Sequence, residues 1–148
     1  LYGHDPYSAS RIDGFLDTTL LFARESQIYL LALMADKLNE KVYYDTERAL
    51  TNWLSGIESA LTNNNFICSD ALTLADICFC CELLLLQSEH QWIEAITEIG
   101  ENLLSSKAIE DRFPRSLNHY EKLSARTDFS PDIKDHRAKI KSGQKIYD

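Results

Sequence analysis

A chain of 148 residues with 45% hydrophobic and 26% charged side chains suffices for one buried core and does not call for a second domain. Its formal net charge of −8, with no basic stripe to track phosphates, argues against direct nucleic-acid binding. With 5 glycines and 3 prolines there is little turn chemistry for an all-β fold, and no signal peptide or membrane-spanning run is visible.

Residues 1–4 read as the end of a linker. Asp5 is a good N-cap and Pro6 suits the first helical position. Beyond them Ile12, Phe15, Leu20, Phe22, Leu30, Leu31 and Met34 recur close to helical spacing. The pattern predicts one long helix to about residue 39, beyond the usual range of roughly 8–20 residues. Gly14 and the polar break at 24–27 are its candidate bends. A helix that long has more surface than one small core covers, so part of it is expected at an interface. A second helix is predicted over 45–62, with Leu50, Trp53, Leu54 and Ile57 on one stripe. Asn63, Asn64 and Asn65 end it, since Asn tolerates the left-handed conformation.

The central stretch is 72–86. Thr73 and Asp76 have the spacing of an N-capping box, with Asp in place of the usual Glu or Gln. From Ile77 to Leu86 the chain is apolar on every side, with Glu82 the only charge, which predicts a buried central helix. At about ten residues the run is too short to span a bilayer, which takes roughly 17–25. Further helices are predicted at 91–104, with Trp92, Ile96, Ile99 and Leu103 on one face, and at 114–126, with Leu117, Tyr120 and Leu123. The tail, 128–148, offers a short helix at 131–140 and carries Lys134, Arg137, Lys139, Lys141 and Lys145. The expectation is a single all-α domain: a bundle of five to six helices around the central one.

Candidate chemistry is sparse. Cys68, Cys78, Cys80 and Cys81 form no disulfide framework, which points to a reducing, cytoplasmic setting and to thiols used as core. No His or second Cys pair stands at zinc spacing, so no metal is expected. His4, His90, His119 and His136 are scattered without a partner. Thr73 and Asp76 read as a structural cap, not an acid–base pair. The basic tail reads as solvated, with a phosphate or an acidic partner as the alternative.

Several features in order along the chain resemble one family. They are the opening 1–6, Arg11-Ile12-Asp13 early in the first helix, the run Ile67-Cys68-Ser69-Asp70-Ala71-Leu72-Thr73-Leu74-Ala75-Asp76-Ile77, the Phe113-Pro114 start, and Tyr120, Leu123, Arg126 and Phe129 at the end. The family is the cytosolic glutathione transferase superfamily, in its C-terminal all-helical domain. Two departures stand out: Thr127 where the family often has Pro, and a long 88–112 segment. The resemblance implies that glutathione, the parent protein's co-substrate, is bound mainly by a thioredoxin-like N-terminal domain absent from this chain. This domain would supply a wall of the apolar co-substrate pocket and a dimer interface, and would not be catalytic alone. By the same analogy Arg24, Gln27, Ile28 and Leu31 face the pocket, and ordinary core packing is the competing reading for Ile28 and Leu31. Leu21 stands near the place where several classes carry a cross-dimer carboxylate. The expected partner is a second copy or a transferase-like domain, with no membrane and no direct nucleic acid. Two alternatives stay open. One is a non-catalytic interaction module of the translation machinery, of the elongation factor gamma subunit or aminoacyl-tRNA synthetase complex type. The other is a redox relative such as a dehydroascorbate reductase or a stringent-starvation-type protein.

Overall fold

Asp5 accepts the backbone N–H groups of Tyr7 and Ser8 at 2.9 and 3.0 Å and so starts the first helix. The computed structural model describes residues 1–143, with only the backbone of Lys107, Ala108 and Glu110; Lys145 of the basic tail lies outside the described residues. Helix α1 is Pro6–Met34, α2 Glu40–Ala60 and α3 Leu74–Leu86. A 3₁₀ turn, Gln87–Trp92, leads into the six-residue α4, Ile93–Glu98. Then come α5, Lys107–Arg112, α6, Pro114–Ser124, and α7, Ser130–Ser142. Five of these helices have eleven residues or more, and no strand occurs among the described residues. The all-α bundle is therefore the fold, and no helix among the described residues is long and apolar enough to cross a membrane.

The long α1 runs unbroken through Gly14 and through 24–27. It stops at Met34, short of residue 39, because Asp36 turns left-handed (φ 54°) and Lys37 N–H closes on the Ala32 carbonyl at 2.8 Å. The buried side of α1 has a period of seven, with Ile12, Thr19, Ser26 and Leu33 in one row and Phe22 and Tyr29 in the next. That is the seam of two helices packed nearly side by side, and α2 is the partner across it. Hydroxyls at the seam find carbonyls, Ser26 that of Ala23 at 3.0 Å and Thr46 that of Val42 at 2.8 Å and, across the seam, that of Glu25 at 3.3 Å, so neither donor is orphaned.

Helix α2 begins five residues earlier than the sequence pattern predicts. Asn39 caps it through the Val42 N–H at 3.1 Å, so the polar first turn, which shows no apolar stripe, is helical anyway. Its end also differs in mechanism. None of the three asparagines is left-handed; Asn64 donates its side-chain amide to the Ala60 carbonyl at 2.9 Å. At the junction of α1, α2 and α3 the Trp53 ring stacks on Phe22 at 4.3 Å and lies 5.5 Å from Phe79, while its indole N–H donates to Thr19 Oγ1 at 3.0 Å.

Helix α3 is not buried all round. Ala75, Asp76, Phe79, Cys80, Leu83 and Leu86 face the core, whereas Ile77, Cys78, Leu84 and Leu85 are half-buried and Cys81 is exposed. Among the described residues α1 and α6 both pack on α3, and they leave Cys81 exposed and the side of Leu84 and Leu85 half-covered. The predicted helix at 91–104 is also corrected. Gly100 (φ 82°) is left-handed, and Glu101 N–H closes on the Ile96 carbonyl at 3.2 Å, so the segment ends as α4 at Glu98. Glu89 then holds the next stretch out of helix by taking the N–H groups of Leu104 and Ser105 at 3.0 and 2.7 Å. The short α5 shows no sequence periodicity and is not among the predicted elements.

Asp76 is completely buried and accepts four donors. They are the Thr73 N–H and hydroxyl, both 2.8 Å from Oδ2, the Ile67 N–H at 2.9 Å, and His119 Nε2 at 2.8 Å from Oδ1. An ionised carboxylate only accepts, so the His119 proton sits on Nε2. Burial pushes the Asp76 carboxyl up, and the His119, Ile67 and Thr73 bonds outweigh it, leaving the group below its ordinary value of 3.8. Glu58 does the same for α6. Pro114 follows Phe113, which has no capping oxygen, and Glu58 reaches over from α2 to take the Arg115 and Ser116 N–H groups at 3.0 and 2.8 Å.

Asp76→Ala leaves these donors buried and unpaired, and is expected to cost about 3 kcal/mol or more in denaturant unfolding. Thr73→Ala removes the cap alone and costs about 0.5–2 kcal/mol. Because Asp76 titrates lower folded than unfolded, its contribution is complete above the ordinary carboxylate range and is lost as pH falls through its folded value. Wild-type stability should therefore drop more steeply below pH ~4 than that of Asp76→Asn, by thermal melts across that range.

Candidate functional site

The half-buried face of α3 and the outer face of α1 meet along a shallow groove of about 330 Å³. Gln27, Leu30, Leu31 and Met34 of α1 form one side and Leu85 of α3 the other. On α1 these positions lie three and four residues apart, so a single stripe of one helix makes the wall. Leu30 is buried and forms the floor, while Leu31 is 61% and Met34 41% exposed although nothing polar balances them. Gln27 supplies the only polar side chain of the groove. The groove holds no titratable group and no nucleophile, so its chemistry is the desolvation of an apolar body beside one amide that can orient it.

Of the four residues expected to share a pocket, Gln27 and Leu31 do. Arg24 lines a different hollow, between α1 and α2, of about 290 Å³, with Thr18, Leu21, Glu25, Asn52 and Trp53. Ile28 is 43% exposed and lines neither. It is not core, and neither is Leu31; the packing alternative for both is set aside. Met34 and Leu85 were missed. The signal for Met34 was its place seven residues after Gln27; that for Leu85 was its place in the all-round apolar run of α3, whose Leu84 and Leu85 side is half-buried.

Two histidines without a partner in the sequence have one in the fold. His119 bonds Asp76, and His136 lies 3.2 Å from the hydroxyl of the buried Ser88. Burial holds His136 below the ordinary histidine value. Neither lines the groove.

The cysteines are all free. Burial is the first cause that raises each thiol: Cys68, Cys78 and Cys81 move up, and Cys80 is pushed up to about 11. Glu82 adds a like-sign charge at Cys78 and Cys81. These are poor nucleophiles at neutral pH. Aryl-disulfide labelling at pH 7 is expected to be several-fold slower at Cys81 than at a free cysteine, and to reach Cys80 only on unfolding. Fast labelling of Cys80 in the native protein would contradict this placement.

Residues 21–91 match the family model "Glutathione S-transferase, C-terminal domain", a span that includes α2, α3 and every residue of the groove. No curated protein and no solved structure gives a significant match.

Proposed function

Since this chain is a glutathione S-transferase C-terminal-like helical domain, we propose that its α1–α3 groove is the apolar co-substrate wall of a glutathione-conjugating protein. The observation that carries the reading is the groove itself: Leu31, Met34 and Leu85 present apolar surface around one amide, at the junction of α1 and α3 and within the segment that the family model matches. A thioredoxin-like domain would hold glutathione across the groove and deprotonate its thiol. The thiolate would attack the electrophilic carbon, a C–S bond would form, and the leaving group would depart with its electron pair. This domain's share is position: an electrophile held against the groove meets the thiolate at high effective concentration. The described lining of the groove offers no nucleophile for the step. Its free thiols fit a cytoplasmic setting.

The same α1 has a second exposed surface. Leu20 and Leu21 are 69% and 67% exposed and lie outside the groove. With the hollow beside Leu21 they form the proposed contact with a second copy or a transferase-like partner. This surface is what supports the alternative reading, a non-catalytic assembly module of the translation type, which needs the contact and not the groove.

The test is conjugation of glutathione to an aryl halide by the whole gene product. Leu31→Glu is expected to raise KM for the aryl halide about tenfold, since a charge at an apolar contact costs well over 1 kcal/mol, and to leave KM for glutathione unchanged. No turnover and no glutathione binding would move the assignment to the assembly module. Separately, sedimentation at micromolar concentration should show a dimer that Leu21→Glu dissociates; a monodisperse wild-type monomer would overturn the self-contact.

A further inference from the structure

At the C-terminal edge of the segment matched by the family model, which supplies Gln87 and His90, lies a polar hollow of about 360 Å³ bordered by α6, α7, the 3₁₀ turn and the segment before α5. Helix α7 supplies it with Arg137 and Lys141, one turn apart on one face. In a chain of net charge −8, two cations against the single carboxylate of Glu121 are a local reversal of sign. They are also arranged. The Arg137 guanidinium lies 5.5 Å over the Tyr120 ring and donates to Glu121 at 3.2 Å, so the side chain is held before any ligand arrives. Among the described residues Lys141 has no such engagement, whereas Lys139 of the same helix pairs with Asp135 at 2.7 Å.

The opposite wall is arranged as well. Gln87 accepts the Tyr120 hydroxyl on Oε1 at 3.3 Å, which leaves its amide N–H groups as donors. His90 is oriented through Nδ1, 2.9 Å from the Gln87 carbonyl. Glu121 also lines the hollow, and its charge is engaged by Arg137. We propose that this hollow binds a small oxyanion-bearing ligand of the phosphate monoester class, gripped by Arg137 and Lys141 and oriented by the Gln87 amide. Arg137 offers the planar fork that matches two phosphate oxygens, and Lys141 adds a point charge. The site is separate from the α1–α3 groove and does not depend on the conjugation reading.

The experiment is a chemical-shift titration of the isotope-labelled 148-residue chain with inorganic phosphate, then glycerol phosphate, at constant ionic strength. Saturable shifts are expected at 87–90, at Ser105 and along 137–141. Lys141→Gln, an exposed substitution that spares the fold, should weaken binding about tenfold, the loss of one charge-assisted contact. Arg137→Gln should abolish it, and Glu121→Gln, which removes a competing acceptor, should tighten it several-fold. Acetate titrated in the same way separates sources of the charge: saturation by acetate with equal affinity would overturn the phosphate assignment. Linear, unsaturated shifts, or binding indifferent to Lys141→Gln, would overturn the site.

Discussion

One buried carboxylate fixes how the two halves of the molecule meet. Asp76 sits in the first turn of α3, yet two of its four donors come from elsewhere, Ile67 from the preceding loop and His119 from α6. Apolar burial does not require this. Each large core side chain contributes roughly 1.5–3 kcal/mol wherever it packs, so Phe79 or Leu83 would be content in more than one rotation of α3. Asp76 would not. Rotating or sliding α3 by one residue would strand an ionised group and its donors in the core, at a cost of several kcal/mol. The apolar contacts supply most of the stability, and Asp76 selects the register in which they are made.

The same device recurs where local capping fails. Glu58 of α2 satisfies the start of α6, and Glu89 collects the Tyr29 hydroxyl at 2.8 Å together with the N–H groups of Leu104 and Ser105. In each case an acid from the first ninety residues binds a segment from the last sixty or so. The C-terminal helices are short, and short helices are marginal in isolation. For α6 a carboxylate already positioned on α2, that of Glu58, waits for its first N–H groups, and Glu89 anchors the non-helical stretch before α5.

How much of this the sequence displays depends on the range of each interaction. The Asp5 and Thr73 caps and the α2 stripe are readable because partner and partner lie within one turn. The Asn39 cap was readable in principle but stood before a polar turn with no apolar pattern to flag it. The long-range acids were not readable. Nothing near Glu58 announces Ser116, and nothing near His119 announces Asp76, because periodicity reports which face is buried and not what lies against it. The groove was half readable for the same reason. Gln27 and Leu31 follow from α1 alone, whereas Leu85 belongs to a helix whose all-round apolarity looked like complete burial. Arg24 has the helical spacing of Gln27 and Leu31, but it lies a turn nearer the start of α1, where the hollow that it lines is shared with α2.

The two tryptophans fall on either side of this division. Trp53 is sealed between Phe22 and Phe79 in the α1–α3 core, and Trp92 is half-buried at the threshold of α4. An indole stacked at 4.3 Å on a phenyl ring and another partly in water emit at different wavelengths. The protein thus carries two built-in optical probes, one for the core that holds the carboxylates and one for the segment they recruit. Loss of the second half alone would appear as a change in one emission band while the other stays fixed.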